Sequence, residues 1–303
     1  MKVVLYFGKI NLVSEHLQKV YKGEMQINDI LSSLLLYLKD GTEYVKEHRF
    51  KLDDDIVVEE IKYSIAIKKK NDTTINGFLY KTSKLHFKNF NRVTKELERR
   101  AIDNDEGVEF YFDVLAEMVG YHTSNRLGYK EFLEAFQEII NKSCENAGSD
   151  YRFNAKQYTK GLSIDEINNE LKSIKNIQKL TIKYQLPNAG EEILDEIQAN
   201  AEKTIERFEH ANMATKSVIL TAASKRGLNV DSDEVKEEMQ QLQNLHSSVS
   251  MENATKHGYV EVATVDGKGV ERTTADKKPV KKKIANIIEF EEACRDVIEK
   301  RSR

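Results

Sequence analysis

Cysteine is scarce in this chain: of 303 residues only Cys144 and Cys294 carry a thiol, far apart and without a Cys-x-x-Cys spacing. That excludes a thiolate zinc site and a disulfide framework, and it fits a reducing compartment. Two prolines and fourteen glycines are few, which argues against long disordered linkers. Long apolar runs are missing too. The most apolar stretch, Ile30 to Leu38, is broken by serines and is too short to span a bilayer. Met1 to Phe7 lacks the charged head, apolar stretch and cleavage site of a signal peptide. A cytoplasmic protein is expected.

The motifs of common chemistry are also lacking. The seven histidines show no metal-ligand spacing, and His122, beside Tyr121 just after a strand, reads as a hydrogen-bonded structural residue. Gly267-Lys268-Gly269 has no phosphate-loop pattern and reads as a hairpin tip. There is no Gly-x-Ser-x-Gly, no Cys/His nucleophile arrangement and no dinucleotide fingerprint. No catalytic or metal-ligating residue, no cofactor and no small-molecule substrate is expected.

What is present is enough apolar residue, 40 % of the chain, to bury a sizeable core in one large or two ordinary domains. The continuous run Val3 to Phe7 marks a strand buried on both faces. Ile27, Ile30, Leu31, Leu34, Leu35 and Leu38 share one helix face, which Asp40-Gly41 ends. Ile56 to Ile67 is β-branched and extended, Asn71 to Gly77 is turn-rich, and Leu85, Phe87 and Phe90 form an apolar edge. Val108 to His122 reads as a β-hairpin, and Tyr129, Phe132, Leu133, Phe136, Ile139 and Ile140 as the face of a second helix.

The polar stretch Asn141 to Asp150 divides the chain into residues 1–146 and 150–303. In the second part Ser163 and Glu166 form a capping box for a helix, and Leu180 to Leu186 alternates as a strand stopped by Pro187. A helix over Ile193 to Phe208, a strand at Val218 to Ala222 and a helix opened by Asp231 and Glu234 come next. Tyr259 to Val265 turns at Asp266-Gly267 into Val270 to Thr274, and a last helix is expected from about Ile284 to Lys300. This order gives the α+β class, with a mixed or antiparallel sheet and packed helices in each part. The last helix is free to pack back on the first part.

Charge is the main functional signal. From Lys62 to Lys95, nine basic residues (Lys62, Lys68, Lys69, Lys70, Lys81, Lys84, Lys88, Arg92, Lys95) face the single acid Asp72, a net of +8. From Lys268 to Lys283, seven (Lys268, Arg272, Lys277, Lys278, Lys281, Lys282, Lys283) stand against Glu271 and Asp276, a net of +5. The whole chain carries −3, so the remainder is acidic. Such segregation raises a local positive potential suited to a polyanion with regularly spaced phosphates. Lysine, a hydrated point charge, favours phosphate contact over base reading and hence weak sequence preference. The expected DNA contacts are Lys68, Lys69, Lys70, Lys81, Lys84, Lys88, Arg92 and Lys95 from the first part, and Lys277, Lys278, Lys281, Lys282 and Lys283 from the second.

Two rival readings remain at this stage. Asp53, Asp54 and Asp55 followed by Glu60-Ile61-Lys62 have the acid and Glu-x-Lys order of metal-dependent nucleases, in which carboxylates hold a cation and a lysine orients water. With this many acids and lysines, chance supplies roughly six acid-x-Lys triplets, so the signal is weak. Alternatively the lysines meet an acidic protein partner, such as a phage protein. The apolar faces Ile193 to Phe208 and Ile284 to Ile298 serve either the monomer core or a homodimer.

Several blocks resemble the RexA-like phage-exclusion proteins, the cytoplasmic component of the lambda Rex abortive-infection system. These are Phe110 to Ile139 with Val119-Gly120-Tyr121; Leu180 to Leu186 with Pro187 and a helix from near Gly190; and a tail of Ala263, Asp266 and Gly267, a basic connection through Pro279, then Glu292, Cys294, Arg295 and Ile298. Their order and the total length agree, while Gly41 to Arg100 and much of Ile197 to Lys256 do not match. The resemblance implies a homodimer that binds DNA with little sequence preference in abortive infection or phage exclusion, with room for a membrane-protein effector.

Overall fold

The computed structural model describes residues 2–52, 55–188, 206–245 and 251–300. The fold is α+β, with two antiparallel sheets and helices packed against them. The larger sheet is built on β1 (Val3–Leu12). One edge of β1 pairs with β6 (Met118–His122), and the other is shared by β12 (Lys281–Ile284) along its first half and β7 (Phe153–Gln157) along its second. From β6 the sheet continues through β5 (Glu96–Asp113), β4 (Thr74–Asn91) and β3 (Asp55–Lys70) to the edge strand β2 (Glu43–Leu52). The smaller sheet has the order β11 (Glu271–Thr273), β10 (Val260–Asp266), β8 (Ile177–Gln185), β9 (Thr215–Thr221).

Helices α1 (His16–Tyr21), α2 (Ile27–Tyr37) and α3 (Tyr129–Asn146) cover one face of the larger sheet. The apolar spacing read in α2 and α3 is the buried face of each. Phe136 packs on Phe110 and Phe112, and Phe132 stacks on Tyr121 with ring centroids 3.9 Å apart. The same buried cluster continues into the smaller sheet, with its helices α4 (Ile164–Ser173), α5 (Asp233–Leu245) and α6 (Met251–Lys256). The Ser163–Glu166 capping box is present at the start of α4. Of the helix expected over Ile193 to Phe208, residues 189–205 lie outside the described residues; Phe208 is helical and buried.

The opposite face of the larger sheet is covered by α7 (Phe290–Glu299) over Leu5, Phe7, Tyr111 and Met118. The last helix thus starts later than its sequence suggests. Lys281 to Ile284 is a strand because Val280 and Ile284 are buried against β1, and Asn286 caps a short 3-10 turn before α7. Gly120 makes the close approach of α7 possible: a Cβ there would lie 2.6 Å from Cys294 Sγ and 3.1 Å from a Phe7 ring carbon. No helix among the described residues is long and apolar enough to cross a membrane.

A charged seam joins the sheets. Lys9 and Glu117 are each 8 % exposed, and Lys9 Nζ donates to Glu117 Oε2 at 2.8 Å and to the Ala116 carbonyl at 3.0 Å. Asn188 Nδ2 donates to the second oxygen of Glu117. Opposite Lys9 in the register lies Lys156 of β7, which reaches Glu261 of β10 at 3.0 Å. Burial pushes the Glu261 carboxyl up, yet Lys156 and the Thr273 hydroxyl hold it below its usual range. Nearby, burial, with Lys9 and Lys256 as smaller causes, lowers the pKa of His257 to about 3.

Two outcomes follow for stability. Glu117→Gln leaves Lys9 buried without a counter-charge and is expected to cost about 3–5 kcal/mol in a denaturant titration. Because His257 binds a proton more readily in the unfolded chain, its contribution is full above pH 6.5 and is lost as the pH falls towards 3. Over that window His257→Phe should flatten the fall in stability by up to about 1.4 kcal/mol per pH unit, read from unfolding midpoints.

Candidate nucleic-acid interface

The register of β4 on β5 decides what the first basic block faces. β4 and β5 pair without interruption from Thr74↔Asp113 to Asn91↔Glu96. The return strand Glu96–Asp113 carries seven acids against Arg99 and Arg100, a net of −5. Lys81 therefore lies opposite Glu106 and Lys84 opposite Asp103, and Thr82 Oγ1 donates to Asp105 at 2.6 Å. Strand pairing offsets much of the charge that the linear sequence concentrates.

Individual partners account for more of it. Lys68 pairs with Glu109 at 2.8 Å and lies over the Phe78 ring. Lys69 reaches Glu291 at 3.5 Å, and Lys81 reaches Glu131 at 2.7 Å while donating to the Arg126 carbonyl at 3.0 Å. Lys70 donates to the Leu38 carbonyl at the C-terminus of α2, at 2.9 Å, and its pKa is lowered by burial and by Lys39. In the second block Lys277 pairs with Glu170 at 2.7 Å, Lys278 with Glu166, and Lys282 with Asp296 at 3.3 Å. Lys281 lies over the Tyr6 ring, 4.9 Å from its centroid.

Among the described residues no carboxylate comes within ion-pairing distance of Lys84, Lys88, Arg92, Lys95, Lys281 or Lys283. The expected contacts are thus distributed to separate places. Lys69 and Lys282, from different blocks, both meet acids of α7, whereas Lys277 and Lys278 meet acids of α4. Lys281 and Lys283 share the other face of β12. Lys84, Lys88, Arg92 and Lys95 occupy the outer half of the β4–β5 hairpin.

That outer half is a two-stranded ribbon. The β3–β4 ladder ends at Lys62↔Thr82 and the β5–β6 ladder at Phe110↔Tyr121, so among the described residues Ser83 to Asn91 pair only with Asn104 to Glu96. At about 3.3 Å per residue the ribbon extends roughly 30 Å. Its tip has Val93 at 91 % exposure and Lys95 in a left-handed turn with φ 58°. Asn91 shapes the turn by accepting the backbone N–H groups of Val93 and Thr94. Lys88 lies opposite Arg99 in the register. Phe87, Phe90, Leu97 and Ile102 are exposed along the ribbon. The β2–β3 hairpin lies alongside, where Glu59 and Phe50 contact His86. The sequence signal for this ribbon was the apolar edge Leu85, Phe87 and Phe90, but nothing local told a projecting hairpin from a core strand.

Of the nuclease-like residues, Lys62 is engaged otherwise. Lys62 pairs with Glu43 across the β2–β3 ladder at 2.6 Å. Asp53 and Asp54 lie outside the described residues. Glu15, His16 and Asp150 form a metal-spaced group among the described residues, but Glu15 is taken by Lys19 and both acids are exposed. His122 has the structural role read for it: Nε2 accepts the Glu109 backbone N–H at 3.0 Å.

A family model described as a domain of unknown function (DUF4747) matches residues 46–300. No curated protein matches the chain.

The division between engaged and free lysines has a direct consequence. Lys70→Met removes a donor from the end of α2 and is expected to lower stability by about 0.5–1.5 kcal/mol in chemical denaturation. DNA affinity, measured by fluorescence anisotropy, should stay within about twofold of the parent, since that ammonium is turned inward to a carbonyl.

Proposed function

This chain belongs to the DUF4747 family, and we propose that it binds duplex DNA with little sequence preference, using the β4–β5 ribbon as its principal contact. The observation that carries this reading is the set of cations Lys84, Lys88, Arg92 and Lys95, without a carboxylate partner among the described residues, on a narrow, projecting two-stranded ribbon. The major groove admits a two-stranded ribbon, and lysines on such an arm reach phosphates on its walls. Exposed apolar residues at the tip suit contact with sugar and base edges rather than water. The biological setting we propose is a cytoplasmic, homodimeric regulator of phage exclusion. That setting rests on the resemblance of the blocks around Val119-Gly120-Tyr121, Leu180 to Leu186 and the Cys294 helix to RexA-like proteins.

A second reading is favoured by one feature, the exposed apolar side chains Phe87, Phe90, Val93 and Leu97. These would equally suit a protein partner, in which case a pull-down would survive nuclease treatment and no duplex would shift in a gel.

The test is an anisotropy titration on two unrelated duplexes at two salt concentrations. Four phosphate contacts predict a slope of about −3.6 in log K against log salt, or roughly a hundredfold loss between 50 and 200 mM. Lys88→Glu with Arg92→Glu should weaken both duplexes about equally and flatten that slope. Lys277→Ala with Lys278→Ala, whose lysines are already paired, should change affinity by less than about twofold. Salt-independent binding, or equal loss in both double variants, would reject the ribbon as the contact.

A further inference from the structure

At the root of the ribbon lies an open cleft of about 780 Å³, bordered by Lys2, Tyr6, Asn125, Arg126, Glu106 and Asn286. Its floor is the first half of β1, one wall is the loop of residues 123–126, and the other is the chain leaving β12. The loop is held in shape from three directions. Ser124 N donates to the Leu127 carbonyl at 3.1 Å, Ser124 Oγ accepts the N–H groups of Arg126 and Leu127, and Lys81 binds the Arg126 carbonyl. The Arg126 backbone is thus fixed, while its guanidinium has no carboxylate partner among the described residues. Across the cleft, Asn286 Oδ1 accepts the Ile288 N–H, which leaves its amide nitrogen available to donate.

Register adds two further cations. β1 and β12 pair Val4↔Lys283 and Tyr6↔Lys281, so both lysines share the face on which Val4 and Tyr6 border the cleft. The intervening Lys282 points to the opposite face and is neutralised by Asp296. Of three successive lysines, the one on the opposite face has a counter-charge, and the two on the face of Val4 and Tyr6 have none among the described residues. Lys2 and Arg126 border the space, with Glu106 as the acid among the residues bordering it, and Lys281 and Lys283 flank it on the sheet face of Tyr6 and Val4. A preformed concave site with a forked guanidinium, an ammonium group and neutral amide donors, flanked by two further lysines on β12, is chemistry for a phosphate monoester. Its size is far more than inorganic phosphate fills and lies within the range of small-molecule sites.

We propose that this cleft binds a nucleoside phosphate, either free or as the 5′-phosphorylated end of a nucleic-acid strand. The site is separate from the ribbon and does not depend on the ribbon's role.

The test uses the full chain and dAMP as probe, following the unfolding midpoint by differential scanning fluorimetry against sodium chloride of equal ionic strength. A saturable rise is expected with dAMP but not with the salt control or with deoxyadenosine. Arg126→Ala and Lys283→Ala are each expected to weaken the response at least about fivefold, and the pair together to abolish it; both residues are exposed, so folding should be retained. Lys88→Glu with Arg92→Glu should leave the dAMP response intact, which separates failure of this site from failure of the ribbon. In that ribbon variant, competition by a 5′-phosphorylated hexanucleotide but not its 5′-hydroxyl form would identify a strand end. Competition by neither would identify the free nucleotide. A midpoint shift that sodium chloride reproduces, no shift at all, or a full response in the Arg126→Ala/Lys283→Ala protein would overturn the proposal.

Discussion

The ion pair between Lys9 and Glu117 is the constraint around which the two sheets are arranged. Lys9 sits on β1, which pairs with β6, β7 and β12, and Glu117 in the turn between β5 and β6 has a left-handed φ of 54°. A non-glycine residue holds that conformation at a cost, and here the carboxylate is rewarded with an ammonium and an amide. Lys156 stands beside Lys9 in the register and would repel it, but Glu261 from the smaller sheet supplies a second anion. The alternation of two lysines and two glutamates joins the turn, β1, β7 and β10. Apolar packing on its own would let these layers slide; buried charges at fixed positions specify one register, because any other leaves an ion without its counter-ion.

The same rule explains why basic residues do different things in different parts of the molecule. Where a lysine lies above the sheet or beside a helix, the fold provides a carboxylate or a carbonyl, as Glu131 does for Lys81 and Leu38 for Lys70. Such residues are parts of the scaffold. Where strands leave the sheet, or where a short strand turns its residues alternately to the two faces, the counter-charges run out. Net charge along a segment therefore says less about a partner than the difference between the cations present and the carboxylates that folding brings to them.

Much of the fold was legible in local pattern. The α2 and α3 faces follow from 3.6-residue spacing, the start of α4 from Ser163 and Glu166, and the β10–β11 turn from Asp266-Gly267. Those signals lie within one turn or one hairpin. The unread features depend on residues far apart in sequence. That Glu96, Glu98, Asp103 and Glu106 would face the basic run needed the 18-residue register of β4 on β5. That Lys281 to Ile284 forms a strand needed β1 as its template, since the run of three lysines conceals the burial of Val280 and Ile284. β7 and β12, from beyond residue 150, both return to β1, and no composition shift marks that return. Arg126 gave no signal at all, being one cation in a polar loop whose importance comes from what stands across from it.

The ribbon is made of the outer halves of two strands whose inner halves, with Leu79, Val108 and Phe110, lie buried beneath α3. Neither strand has a break between the two halves, so the projection has no hinge of its own. It acts as a lever with a short arm in the core: a force that tilts the tip must twist the sheet at its base. The fulcrum is Lys81, which grips both Glu131 at the start of α3 and the carbonyl of Arg126. Strain at the far end is delivered mechanically to the first turn of that helix.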